Sequence, residues 1–453
     1  MTTTRWLAEY AWLPERAAPT PEVLIETVNG RITAVTPLSP GGPPDAGVDV
    51  LADAVRLPGV TLPGLANTHS HAFHRALRGH THGGRGDFWS WRDQMYAVTA
   101  HLNPDSYLAL ARAVYAEMAL AGITCVGEFH YLHHGAGGTP YDDPNAMSAA
   151  LVEAAAHAGI RLTLLDTCYL TATVDGQPLT GSQLRFGDGD ALRWADRVSA
   201  FTPDGKHARL GAAIHSVRAV PAEQLATVAG WAHRRDAPLH VHLSEQPAEN
   251  DACRAVHGRT PTGLLADHGV LGPATTAVHA THPTSGDVGL LGESRTGVCL
   301  CPTTERDLAD GIGPARRMAD AGIPLSLGSD SHAVIDPFEE ARAVELDERL
   351  RTRKRGHFAP AELLHAASAA GHAALGWTDA GRIAVGGRAD LVTVRLDSVR
   401  TAGVAPAGLW FAAGAADVTQ VVVDGRVLVR DGHHLTVDVP QELADAIAEV
   451  TGG

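Results

Sequence analysis

Two histidines spaced two apart close an apolar run in Asn67-Thr68-His69-Ser70-His71. On a strand, residues i and i+2 share a face, so His69 and His71 can aim at one point. The chain holds 25 His, so placement must decide which of them matter. His240-Val-His242-Leu-Ser-Glu245 closes a second run, with Leu239, Val241 and Leu243 on one face and His240 and His242 on the other. Alternation leaves His240 and His242 both open as ligands. The spacing to Glu245 favours His242, because it sets a carboxylate beside water on a metal. Gly328-Ser-Asp330-Ser-His332 ends a third run. A carboxylate leaving an apolar strand is costly to bury unpaired. Asp330 therefore needs a cation or a helix to cap, and the next helix has its own start at Asp336-Pro337. His279, in Val-His-Ala-Thr-His282, is open as a ligand, a base or a satisfied core histidine, with a hydrogen-bonding role beside the metal favoured, and His282, before Pro283, falls in the loop. His69, His71, His242 and Asp330 make a donor set suited to one divalent ion, Zn²⁺ above all, with room for water. Such an ion lowers the pKa of its water. Glu245, His279 and Asp330 are then the candidate proton-handling groups.

A second set of residues could hold the substrate. Arg92 lies in Trp89-Ser-Trp91-Arg92, Tyr131 ends Glu128-Phe-His-Tyr131, and His215-Ser-Val-Arg218 ends a further run. Two Arg with Tyr and His can clamp carboxylates through charge-assisted, bidentate bonds. A small dicarboxylate is the partner this predicts. Trp89 and Trp91 read at least as well as core residues.

These residues need strand ends that converge. Eight apolar runs are candidates: Leu62–His71, Ile123–Tyr131, Arg161–Tyr169, Leu210–His215, Pro238–Glu245, Thr276–His282, Gly297–Pro302 and Pro324–His332. Helix-like stretches such as Pro104–Ala121, Asn145–Ala158, Pro221–Arg235 and Asp336–Leu350 separate them. Strand–helix alternation implies a parallel sheet. Polar residues at the C-terminal ends of most runs favour a closed (β/α)8 barrel over an open sheet. No Gly-rich phosphate motif follows the first run, which disfavours a dinucleotide fold. Asn29-Gly30 and Asp424-Gly425, each between β-branched runs, predict type I′ hairpins near the two ends. Residues 38–47 read as a Pro/Gly-rich loop. The expected organisation is a small β-sandwich from both termini (1–59 and 381–453) around a catalytic barrel (60–380).

Composition narrows the partners. The formal charge is −15, with no basic run, which argues against nucleic acid. Five scattered Cys without a CxxC read as reduced, buried thiols, with a minor metal role open to Cys299 and Cys301. No signal peptide or membrane span is visible, so a cytoplasmic protein is expected.

The joint pattern, with HxH on the first run, HxxE on the fifth, His on the sixth and Asp on the eighth, resembles the amidohydrolase superfamily. So do the split terminal domain and the Gly381-Arg-Ile-Ala-Val-Gly-Gly-Arg-Ala-Asp390 return. Two-metal members carry a carboxylated Lys on a middle strand. The two Lys here, Lys206 and Lys354, lie outside every run, so one metal is expected. Within the superfamily the segments around His69, Arg92, Tyr131, His215, His242, His279 and Asp330 are similar to the formimidoylglutamate deiminase family. That resemblance implies hydrolysis of N-formimidoyl-L-glutamate in histidine degradation by a homodimer. It also implies that Arg92, Tyr131, His215 and Arg218 hold the substrate carboxylates. His74 stands where that family usually has a substrate-contacting Gln. The alternatives are another single-metal deaminase acting on guanine, cytosine or a related ring, and a catalytically silent metal-binding homologue.

Overall fold

The computed structural model describes residues 3–38, 53–81, 88–203 and 206–452, without the side chains of 88–90. The Trp89 ring and nearly all of the 38–47 loop thus lie outside the described residues. Among the described residues, sixteen strands form two sheets. β1 (Thr3–Ala11), β2 (Thr20–Val28), β3 (Arg31–Pro37) and β4 (Val55–Pro63) precede the barrel. The barrel strands are β5 (Leu65–Ser70), β6 (Ile123–His130), β7 (Arg161–Cys168), β8 (Ala208–Ile214), β9 (Leu239–Leu243), β10 (Thr275–His279), β11 (Gly297–Leu300) and β12 (Leu325–Leu327). β13 (Leu391–Val394), β14 (Val418–Val423), β15 (Arg426–Arg430) and β16 (His433–His434) follow.

β5 to β12 pair in parallel, in chain order. The first and eighth strands meet at their mouth ends. Ser70 and Asp330 form a parallel bridge, Asp330 N–H donates to the His69 carbonyl at 3.0 Å and His71 N–H to the Asp330 carbonyl at 3.2 Å. The sheet is therefore a (β/α)8 barrel. Its closure sits at the ligand candidates themselves.

The terminal strands make one hydrogen-bonded sheet in the order β16-β15-β14-β13-β4-β1-β2-β3. Its core draws on both ends of the chain, with Trp6, Val23, Ile25 and Leu57 packed against Ile383, Leu391 and Val422. Both hairpin turns have the two positive φ values that type I′ requires: Asn29 51° and Gly30 78°, Asp424 47° and Gly425 74°. The first sequence run spans two strands. Leu62 and Pro63 finish β4, and the barrel begins at Leu65. Gly64 makes the crossing, where an added Cβ would lie 2.4 Å from Thr124 Oγ1 and 2.7 Å from Asp390 Cβ.

The helix starts follow from the sequence. Asn103 accepts from Asp105 N–H and Ser106 N–H ahead of Pro104. Asp336 accepts from Phe338 N–H and Glu339 N–H ahead of Pro337, which leaves Asp330 free of any capping role. A helix not anticipated from the sequence, Val439–Thr451, packs on Pro104–Leu120 at the barrel flank. Among the described residues, no helix is long and apolar enough to cross a membrane.

Candidate active site

The mouth of the barrel gathers His69 and His71 from the end of β5, His242 from β9, His279 from β10 and Asp330 beyond β12. Several of these strand ends leave the sheet through the left-handed region: φ is 50° at Ser244, 69° at His279, 49° at Ala280, 39° at Asp330 and 57° at His332. Non-glycine residues adopt this conformation at a cost, and such positions concentrate at functional sites.

One ligand atom from each of His69, His71, His242 and Asp330 lies within 4.8 Å of the others, all buried. Backbone carbonyls set two of the rings. His71 Nδ1–H donates to the Phe129 carbonyl and His242 Nδ1–H to the His215 carbonyl, both at 2.9 Å. In neutral rings this turns both Nε2 lone pairs inward, the tautomer a metal needs. His69 Nε2 lies 3.1 Å from His242 Nε2 and 3.2 Å from Asp330 Oδ1, and His71 Nε2 lies 3.4 Å from the same oxygen. Burial pushes His71 down to about 3 and lowers His69 and His242. Burial works against the Asp330 carboxylate, but the hydrogen bond and charge of His69, with His279 and His71, hold it well below the usual range. Three neutral imidazoles converging on one carboxylate suit a divalent cation of the Zn²⁺ type.

His240, the rival of His242, points elsewhere: its Nε2–H donates to the Ala374 carbonyl at 3.1 Å. It stands two residues deeper in the barrel, roughly 6.6 Å along the strand. Cys299 and Cys301 pack with Val278 as buried free thiols, apart from the cluster. His282, on the loop, donates to the Asp310 carbonyl at 2.7 Å. A further group, His130, His133 and Asp166, is close enough to hold an ion. There the Arg197 guanidinium donates to both Asp166 oxygens at 2.8 and 3.0 Å, which occupies the carboxylate with a fixed cation.

His279 lies 3.8 Å through Nε2 from both Glu245 Oε1 and Asp330 Oδ2. Burial disfavours its charge, yet Glu245, Glu305 and Asp330 raise it well above the usual histidine value. Burial raises the Glu245 carboxyl, offset in part by His279. Behind the first strand, Glu128 accepts the Ser70 hydroxyl and the Ala72 N–H, both at 2.7 Å.

Above the cluster a cavity of about 540 Å³ is lined by His74, Arg92, Tyr131, His215 and Arg218, together with Glu245, His279 and Asp330. The sequence-derived substrate residues therefore share one chamber with the candidate ligands. His74 Nε2 and the Tyr131 hydroxyl are 3.0 Å apart. The Trp91 ring stands perpendicular to His74 at 5.0 Å, and Trp91 lines the cavity while packing on the core. The Arg92 guanidinium sits 5.5 Å from the Tyr96 ring centroid. Sequence reasoning missed Tyr169, Glu249 and Glu305. Tyr169 ends the third run, so the strand-end rule that found Tyr131 also covers it. Glu249 lines the chamber beside Arg218, and burial pushes its carboxyl up to about 7.

A model of the amidohydrolase family matches residues 60–428. The chain is 40% identical over 407 residues to the formimidoylglutamate deiminase of Pseudomonas aeruginosa, with 86% of this chain and 88% of that relative covered. It is 30% identical to the 5-methylthioadenosine/S-adenosylhomocysteine deaminase of Halobacterium salinarum, with 92% and 90% covered. Among solved structures, an amidohydrolase from Brucella melitensis matches with a TM-score of 0.88 and 32% identity, over 99% of this chain and all of that one.

Proposed function

We propose, from the premise that this chain belongs to the amidohydrolase family, that it hydrolyses N-formimidoyl-L-glutamate to N-formyl-L-glutamate and ammonia. The observation that carries this reading is that Arg92 and Arg218 line the same chamber as the buried His/Asp cluster. Two guanidinium groups in one small chamber match a dicarboxylate better than a neutral ring. The relative at 40% identity bears the corresponding name.

His69, His71, His242 and Asp330 would hold one divalent ion, with Zn²⁺ the best match to the donors. When bound, the ion supplies Lewis-acid activation of water. Asp330 takes the proton that water gives up, and His279 shares it, since a cation on the cluster would offset the carboxylates that otherwise favour a fully protonated His279 ring. Glu245, whose raised pKa favours the protonated acid, delivers a proton to the imino nitrogen as water adds to the formimidoyl carbon. The proton taken from water then passes through Glu245 to the same nitrogen and makes it a leaving group, and the proton of the new hydroxyl restores Glu245. The C–N bond breaks, ammonia departs and the formyl oxygen remains. Arg92 and Arg218, with Tyr131 and His215, bind the carboxylates, and His74 lines the same chamber.

One observation favours a second reading, deamination of an amino-heterocycle: the rings of Trp91, Tyr131 and Tyr169 also line the chamber. The decisive experiment is ammonia release by purified, Zn²⁺-loaded protein from N-formimidoyl-L-glutamate, with N-formimidoyl-L-aspartate and guanine alongside. Release from the glutamate compound alone supports the deiminase reading. Silence there with turnover of guanine replaces it with the ring reading and points to His74 as the difference.

A further inference from the structure

Stacking leaves one feature of His279 undetermined. Its ring lies against His242, with centroids 5.6 Å apart and planes 17° apart, which fixes the plane of the imidazole. A stack of this kind is nearly indifferent to turning the ring over within that plane, an operation that exchanges nitrogen for carbon at each edge. Something must break the symmetry. The left-handed backbone at His279 and Ala280 carries the chain off the strand, so the ladder gives the ring no help.

Glu305 faces the far edge. Its Oε1 lies 3.4 Å from His279 Nδ1, opposite the edge where Nε2 faces Glu245 and Asp330. The same oxygen is itself held, accepting the Cys301 N–H at 2.9 Å. Glu305 N–H in turn donates to the Cys301 carbonyl at 2.9 Å. A carboxylate oxygen can only accept, so the ring edge that faces it at this ion-pair distance is best matched by an N–H, although the contact is not aligned as a full hydrogen bond. Turning the ring over would set a carbon against a buried carboxylate, which is costly.

We infer that Glu305 is a positioning residue: it holds a proton on His279 Nδ1 and keeps Nε2 turned toward Glu245 and Asp330. The inference rests on the deiminase reading for its kinetic consequence, because only there does Nε2 handle protons of the reaction. In other enzymes a buried carboxylate that fixes an imidazole tautomer is worth several decades in rate while touching no substrate.

The test uses Zn²⁺-loaded Glu305→Ala and Glu305→Gln. With Ala, kcat falls by about 10²-fold, while KM stays within about threefold and bound zinc is unchanged. In the Gln variant the Cys301 N–H holds the amide oxygen where Oε1 lies, so its NH₂ is kept from turning to the ring and the variant recovers at least about tenfold of that loss. Nitrogen-15 histidine spectra, with His279 identified from a His279→Asn variant, read the tautomer without substrate. They should show Nδ1 protonated in the wild type and a mixture in Glu305→Ala. An Ala variant with wild-type kcat, or with an unchanged His279 tautomer, overturns the inference. So does a loss of zinc in step with activity. If the wild type releases no ammonia from formimidoylglutamate, the deiminase reading fails and the histidine spectra still decide the role of Glu305.

Discussion

Replacing Arg218 by Met tests the carboxylate clamp directly. The backbone at this position is held independently of the side chain: Thr171 Oγ1–H donates to the Arg218 carbonyl at 3.0 Å, and Leu170 N–H to the Ala219 carbonyl at 2.7 Å. Truncation should therefore leave the chamber in shape, and Met keeps most of the apolar stem. The half-buried guanidinium lines the chamber near Tyr169, Glu249 and Glu245, where a bond to a substrate carboxylate is less screened than at an open surface. A hydrogen bond to a charged group contributes about 1.5–3 kcal/mol net. Removing one partner of a buried charge pair costs about 2–5 kcal/mol. A value near 3 kcal/mol corresponds to a fall of about 10²-fold in kcat/KM at 1.4 kcal/mol per decade. Most of it should enter through KM, since Arg218 holds a part of the substrate remote from the reacting carbon. Arg218→Lys keeps the charge and loses the fork, and should recover part of the loss. The assay compares N-formimidoyl-L-glutamate with its γ-carboxamide and α-carboxamide analogues. If Arg218 reads a carboxylate, Arg218→Met loses the wild type's preference over one of the amides. A variant that loses the same factor on the acid and on both amides, or that keeps its KM, refutes the clamp.

Glu245→Gln should lower kcat by about 10²–10⁴-fold with metal content intact, because Glu245 lies outside the four-residue cluster; parallel metal analysis and turnover check this, and equal loss of both contradicts the role. Asp390→Leu removes the carboxylate whose two oxygens accept from the fully buried Arg161, leaves that guanidinium paired with the partly exposed Asp424 carboxylate at 3.3 Å, and removes the acceptor of the Asp424 N–H at 2.9 Å. Urea unfolding should show a loss of about 3–5 kcal/mol, largely restored in the Arg161→Met/Asp390→Leu double variant; an undisturbed single variant would count against the pair. Burial pushes the Glu128 carboxyl up to about 7 from 4.5, so the folded protein binds a proton there that the unfolded chain has lost. Stability from this group is therefore highest below about pH 4.5 and falls as pH rises to about 7, by roughly 3 kcal/mol at most. Glu128→Gln should flatten that stretch of the curve in denaturation at pH 5 and pH 8, and an identical slope in both proteins would refute the assignment.

The barrel and its metal-binding candidates were legible because each was announced by a rule the chain obeys locally. Period-two alternation put His69 and His71 on one face, and the bare aspartate at 330 had no helix to cap once Asp336 took that role. Alternation could not separate His240 from His242, since it reports the face of a strand and is silent on depth along it. Depth is set by where the strand leaves the sheet. At β9 that exit is the left-handed Ser244, a backbone feature carried by a residue type with no strong preference for it.

The two missed carboxylates share a physical cause. Glu249 and Glu305 sit in the first turns of the short helices that follow β9 and β11, where acidic residues are common because they complement unpaired N–H groups. Glu305 does accept the Cys301 N–H, and Glu249 accepts the Ser244 N–H at 3.2 Å. A capping function accounts fully for either residue in the sequence. Only the closed barrel adds the second partner, because it brings β10 beside the turn after β11 and the β8 segment beside the turn after β9. The first juxtaposition sets His279 against Glu305, and the second sets Arg218 beside Glu249. In this fold the helix that follows a strand is as close to the mouth as the strand end itself, so a local cap and a catalytic support can be the same carboxylate.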